Sequence, residues 1–528
     1  MKKLSWILII TLLASCLSAC GKKETVIYQG DTASTSDATD DPIRNLDYTV
    51  PGDKGTLTVQ AQVDTSLAEK SAPVASLSRA DFTDEDIQTY ADLLFDEGSY
   101  SLFMPYDFRS IEDLTSACGA WEDTFKSYEN FSMIPEYMIA EYYDATNVLA
   151  TKKQDADAAK RVVETNGEMK WYINPYSERD DIGQFIPNQF CIIDGTISKE
   201  HYYLAFFKSN LFCRMVLYKQ YCTDAIDFSK AYPISSAYVE QNGENSCSLS
   251  LTEAKQITEK YMQTLKITDY TIVQTLDAIR HPQHYTINAS FAVEPPAEET
   301  EPATDSYLFY ASRSLNNLST LYTSETFSTT LTDYSNAEYD ANGGFIFSAD
   351  ESNTFYGFES LTASIDSNGL SYLIWNNPMQ VDTIEAKTSP TLSFDQIDAI
   401  AKAQIDFMSI WNSSPFDPLS IADCEYTVTS IEYGLIRISD SKHKSYSLVP
   451  AWFYMLKPDE AGILYKSSYA IINAIDGSIY NPFIGTLEPT DNSQTEEMTD
   501  NHTKIRNRLT AIWQIIIMKK GLHMQSLL

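Results

Sequence analysis

Residues Ser441, Lys442, His443 and Lys444 have the S-x-x-K spacing at which a lysine can take the proton of a serine nucleophile. That chemistry needs the serine at the head of a buried helix. Here the four residues lie in a polar stretch between two strand-like runs, with no Lys-Thr-Gly to accompany them, so a solvated hairpin turn is expected. His281 and His284 put two imidazoles three residues apart. A metal site needs further ligands and supporting hydrogen bonds. Pro282 also works against a helix that would hold both rings on one face, so a loop is expected there. Paired carboxylates can hydrolyse glycosides, and Glu178, Asp180 and Asp181 form one cluster and Asp84, Glu85 and Asp86 another. With 73 acidic residues, such clusters arise from composition alone. The first fits a loop and the second a helix N-terminus, where the dipole favours negative charge. The chain has no G-x-S-x-G, H-E-x-x-H, G-x-x-x-x-G-K-[ST] or G-x-G-x-x-G motif. No catalytic residue, cofactor or metal ligand is therefore assigned.

The elements that would position any site come from 528 residues, 43% of them hydrophobic. That length supports two or three cores. Lysine and arginine number 38, and the net charge of -35 repels nucleic acid, which is excluded as a partner. An aromatic content of 12%, with 34 tyrosines, favours sheet structure over disorder.

The N-terminus has the marks of an address. Lys2 and Lys3 precede the apolar run Leu4–Leu13, which is too short to span a bilayer. Leu17, Ser18, Ala19 and Cys20 then resemble a bacterial lipobox, which implies a signal peptide over 1–19 and a lipidated Cys20. A lipid anchor would hold the protein on the extracellular face of the cell membrane. Residues 20–76 are expected as a disordered tether, because 31–41 carry no apolar period. Six other cysteines remain, Cys118, Cys191, Cys213, Cys222, Cys247 and Cys424, without a C-x-x-C pair. Cys213 and Cys222 are near enough in sequence to pair, and buried free thiols are the other option.

An N-terminal α+β domain is expected over 77–245. Thr83 and Asp86 have the spacing of a capping box, with Phe82 and Ile87 as its hydrophobic staple. Runs at 189–193, 202–207 and 214–218 have strand character, and Asp194 with Gly195 signals a hairpin turn between the first two.

A repeat follows. Ser250 with Glu253, and Ser393 with Gln396, each start a helix in the same way, preceded by Leu249 and Leu392. Apolar stripes follow, through Leu251, Ala254, Ile257, Tyr261 and Leu265 and through Phe394, Ile397, Ile400, Ala401, Ile405 and Met408. Strands are expected at 285–293, 306–312 and 371–375 after the first helix. After the second they are expected at 426–438, 445–456 and 468–475, the last closing on a turn at Asp476 and Gly477. Each helix would lie on an antiparallel sheet. The closing run Ile471–Ile479 and the stretch Ser364–Pro378 resemble PepSY-type modules and a family of uncharacterised lipoproteins of Gram-positive gut bacteria. The expected fold is thus α+β, with a lipidated tether and antiparallel sheet modules each covered by a capped helix, two of them PepSY-like repeats at 246–386 and 387–486. The resemblance implies a non-catalytic, protein-binding or regulatory role in the envelope, and it carries over no site residue. A solute-binding lipoprotein and an extracellular hydrolase with a carboxylate site are the alternatives. Residues 487–528 are expected as an acidic linker and a basic tail, whose stripe of Ile505, Leu509, Ile512 and Ile516 suits either a lipid surface or an extension past the last domain.

Overall fold

The computed structural model describes residues 42–488 apart from 53–54, 67–72, 176–187, 210–211, 220–230, 234–243, 281–285, 289, 292, 295–303, 322, 324–329, 333–337, 340–344, 347–353, 386–390, 406–423, 441–444, 458–466 and 482–485. The fold is mixed α+β, mostly sheet, with two large sheets that are antiparallel at nearly every pairing. Strands β1 (Ile43–Pro51) and β2 (Gly55–Asp64) form a hairpin, and β3 (Ala75–Arg79) leads into helix α1 (Asp84–Leu94). Strands β4 (Ser101–Phe103), β5 (Gln189–Ile197), β6 (Glu200–Lys208) and β7 (Cys213–Lys219) follow, with helices α2 (Ile111–Lys126) and α3 (Glu136–Gln154) inserted between β4 and β5. Helix α4 (Leu251–Thr264) precedes β8 (Tyr270–Arg280), β9 (Thr304–Leu315), β10 (Ser360–Asp366) and β11 (Gly369–Asn376). Strand β12 (Met379–Ile384) leads to α5 (Phe394–Ala403), and β13 (Cys424–Asp440), β14 (Ser445–Leu456), β15 (Ser468–Asn473) and β16 (Ile479–Asn481) complete the series.

Among the described residues one plan recurs three times: a capped helix, then four antiparallel strands laid side by side in chain order. Helices α1, α4 and α5 start for the same reason. Thr83, Ser250 and Ser393 accept from the backbone N–H of Asp86, Glu253 and Gln396 at 3.1, 3.3 and 3.4 Å. The side chains of those three residues accept in return from the cap N–H at 2.7, 2.8 and 3.0 Å. Each box satisfies two otherwise orphaned donors and contributes about 1 kcal/mol. The first two units share the eleven-stranded sheet, in the order β4-β5-β6-β7-β11-β10-β9-β8. They meet last strand to last strand, with Tyr218 beside Tyr372 and Arg214 beside Asn376. Both α1 and α4 bury their apolar stripes on one face of that sheet, in a core that also takes Leu77, Leu435 and Leu448 from the other sheet.

The nine-stranded sheet holds the third unit. Its core joins Phe394, Ile397 and Ile400 of α5 to Trp452, Tyr454 and Ile472. Leu57, Val59, Ala61 and Val63 of β2 enter the same core, and β2 runs parallel to the start of β13.

Several expectations need correction here. Residues 43–64 and 75–76 belong to sheets and not to a tether. Their apolar residues alternate with a period of two, so one face of β2 is buried where a disordered segment would have none to bury. The expected boundary at 245 falls inside one sheet, since β7 and β11 are hydrogen-bonded neighbours. Asp194 and Gly195 lie within β5. The turn comes at Ser198 and Lys199, whose φ values of 54° and 72° match a two-residue hairpin turn. Gly195 is required by packing: a Cβ there would lie 2.6 Å from the Phe95 ring and 2.7 Å from the Tyr100 Cβ. The first strand after α4 is Tyr270–Arg280, not 285–293, where the described residues form the short pair Thr286–Ile287 and Val293–Glu294. By contrast, the turn at Asp476 and Gly477 is present, with Gly477 at φ 76° and the Asp476 carboxylate accepting from the Ser478 N–H at 2.9 Å.

Candidate functional site

Ser441–Lys444, His281, His284, Glu178, Asp180, Asp181, Cys20 and Cys222 lie outside the described residues. Asp86 serves the cap of α1, and Asp84 accepts from the Trp171 N–H at 3.0 Å, so this acidic cluster is used in folding. Cys118, Cys191 and Cys213 are buried free thiols, and Cys247 is free and half-buried. Burial pushes the Cys191 and Cys213 thiols up to about 12, which removes them as thiolate nucleophiles. Among the described residues no three His, Cys, Asp or Glu side chains gather as a metal would need, and no helix is long and apolar enough to cross a membrane.

Among the described residues, buried charges include Lys152, Lys219, Asp305 and Asp366 and three further groups. In the third unit Asp398 of α5 is 8% exposed. Tyr48 of β1 donates to its Oδ1 at 2.6 Å and Tyr454 at 3.2 Å, while Lys402 lies 2.7 Å from Oδ2 and 4.0 Å over the Tyr48 ring. Between the sheets, Arg313 forms a forked pair with Glu359 through Nε and Nη2 at 2.7 and 2.8 Å, Nη2 also donates to the Met379 carbonyl, and Nη1 reaches Asp269. Arg437 donates to the Tyr356 and Gly357 carbonyls at 2.6 Å, between the rings of Phe358 and Tyr446. These groups tie strands and segments together, with most of their valences filled from within the fold.

The third group differs. Glu141 of α3 is 6% exposed and faces the strands β5 and β6. The Tyr203 hydroxyl donates to it. Tyr106, whose own oxygen accepts from the Trp121 indole at 3.1 Å, stands against it as well. Asp194 of β5 lies close enough to repel it. The Asp194 Oδ1 and the His201 Nδ1 are 3.8 Å apart, longer than a hydrogen bond, and neither atom has a hydrogen-bond partner. The Tyr137 ring covers the His201 ring at 5.2 Å. Burial raises the Glu141 and Asp194 carboxyls above their ordinary range, against the lowering effect of Tyr203 and Tyr106 on the first and of His201 on the second. Burial and the neighbouring carboxylates likewise raise the Tyr203 hydroxyl. The arrangement can hold and release protons at the seam between helix α3 and the sheet.

No sequence motif marks this group. Glu141 is one acidic residue in a helix that the strand-rich pattern does not announce, and Asp194 beside Gly195 reads from sequence as a turn residue. The available signal was Glu141 among Ile139, Ala140, Tyr142 and Ala145, a carboxylate on an apolar stretch.

No family model matches the chain, and no curated protein does. A search of solved structures finds an uncharacterized protein from Eubacterium rectale ATCC 33656, 12% identical, with 82% of this chain and 92% of that one covered at a TM-score of 0.33.

Proposed function

We propose that this chain is a lipid-anchored protein of the extracellular membrane face that acts by binding an envelope protein partner and not by catalysis. We read its three helix-and-meander units as copies of one PepSY-like module. The observation that carries this reading is the condition of the buried carboxylates. Asp398 and Glu359 are held by partners inside the fold, and Glu141 is closed over by Tyr203 and Tyr106. A hydrolase acting through Glu141 and Asp194 would need the first of them open to a substrate bond. The antiparallel meanders also weigh against a two-lobed solute binder, whose lobes are built from parallel βαβ units.

Crosslinking of the anchored protein in intact membranes, read by mass spectrometry, should yield an adduct with a second protein. Hydrolysis of a glycan substrate that is lost in Glu141→Gln would overturn the non-catalytic reading. Replacing Cys20 by Ala should shift the protein from the membrane to the soluble fraction. Full retention on membranes would remove the lipid anchor from this proposal.

A further inference from the structure

We propose that the helical hairpin α2–α3 is a pH-gated flap, latched onto the eleven-stranded sheet through Glu141 and loosened as the pH rises. The hairpin is an insertion in the first unit, between β4 and β5, and it carries its own core. Leu114, Cys118, Phe125, Ile139, Tyr142 and Ala145 pack mainly among themselves and with residues of the same insertion, joined at the margin by Phe103 of β4 and by Phe291 from the second unit. It can therefore lift from the sheet with its interior intact, as locally unfolding segments do.

The seam beneath it is polar. The sheet presents Asp194 from β5, His201 and Tyr203 from β6, and Tyr218 from β7, the last with its ring tilted against that of Tyr203 at 5.3 Å. The segment entering the hairpin presents Tyr106 and Arg109. The Arg109 guanidinium lies 4.5 Å over the Tyr106 ring and donates to the Met104 carbonyl at 2.7 Å. Helix α2 presents Trp121, bonded to Tyr106, and Glu122, which accepts from Tyr142 at 2.9 Å. Helix α3 adds Tyr137. Arg109 is thus the one guanidinium acting on Glu141 among these groups, and it shares the seam with two carboxylates.

The sign follows from linkage. A carboxyl whose proton is held more tightly in the docked state favours docking fully below the ordinary glutamate range. That preference declines as the pH rises through the raised docked value. Burial and the Asp194 charge set this direction for Glu141, with the Tyr203 and Tyr106 hydroxyls and Arg109 opposing it in part.

Hydrogen exchange of the full chain at pH 5 and pH 8, corrected for intrinsic rates, tests this. Peptides from 111–154 should open more at pH 8, about tenfold for each pKa unit of the shift, while peptides from 445–473 should not change. In Glu141→Gln the ratio between the two pH values should fall towards one, with the hairpin protected at both. Tyr203→Phe, which removes a donor to the carboxylate, should enlarge the ratio. Equal protection of 111–154 at both pH values in the parent, or an undiminished ratio in Glu141→Gln, would overturn the proposal.

Discussion

The third unit places Asp398 under α5 with Tyr48, Tyr454 and Lys402 around it. The first unit places Glu141 and Asp194 beneath α3 with hydroxyl donors, a distant imidazole and each other. Both units open with the same capping box and lay down the same four-strand meander, so the contrast lies in what was added. The third unit takes in a hairpin from the N-terminal side, and Tyr48 of that hairpin completes the bonding of Asp398. The first gained a helical insertion whose own carboxylate meets a second one. A buried charge with a full set of partners fixes a joint, whereas a crowded one makes the joint responsive to conditions.

The strongest way to break this comparison is Val59→Asp. Val59 is fully buried between the hairpin and α5, and an unpaired charge there should cost about 3–5 kcal/mol. Exchange protection should be lost over 394–403 and 468–473 and kept over 189–219. Loss over both regions would mean that the units open as one body. Next in size, Asp398→Ala leaves the buried Tyr454 hydroxyl, the half-buried Tyr48 hydroxyl and Lys402 without their acceptor and should cost about 2–3 kcal/mol. Glu141→Gln should instead stabilise the hairpin at pH 8, so opposite signs for the two carboxylates would sharpen the contrast and equal signs would dissolve it. Gly195→Ala should cost about 2 kcal/mol by pressing a methyl group against Phe95 and Tyr100, read as a lower midpoint in urea. Smallest, Thr83→Ala, Ser250→Ala and Ser393→Ala should each cost about 1 kcal/mol in local opening of their own helix. One of the three without effect would separate that unit from the others.

The three helix starts were legible because a capping box is local: four consecutive positions decide it. The strands at 189–219 and 424–473 were legible because apolar residues on a buried sheet are dense and bounded by turn residues. The hairpin at 43–64 was missed although Leu57, Val59, Ala61 and Val63 alternate, because it follows a polar stretch and its partner strand lies more than 300 residues away. Nothing nearby in sequence announces such a pairing. Gly195 was misread because a glycine chosen for close packing looks the same as one chosen for a turn. The carboxylate site was illegible for a similar reason. Glu141, Asp194 and Tyr203 meet only once α3 is laid on β5 and β6, and no spacing along the chain encodes that meeting.

The early start of the first strand has a consequence of scale. If the proposed lipid is carried on Cys20, roughly twenty residues would separate it from β1, and the fold would stand no farther than about 70 Å from the bilayer. As a random coil such a segment would span about 25 Å on average. Under the proposed anchoring the chain would be confined to a thin shell over the membrane, and a partner embedded in the same bilayer would meet it at an effective concentration approaching the millimolar range. Contacts too weak to survive in dilute solution suffice under that confinement. Lengthening the segment before Pro42 should lower occupancy of the partner while leaving the intrinsic affinity untouched.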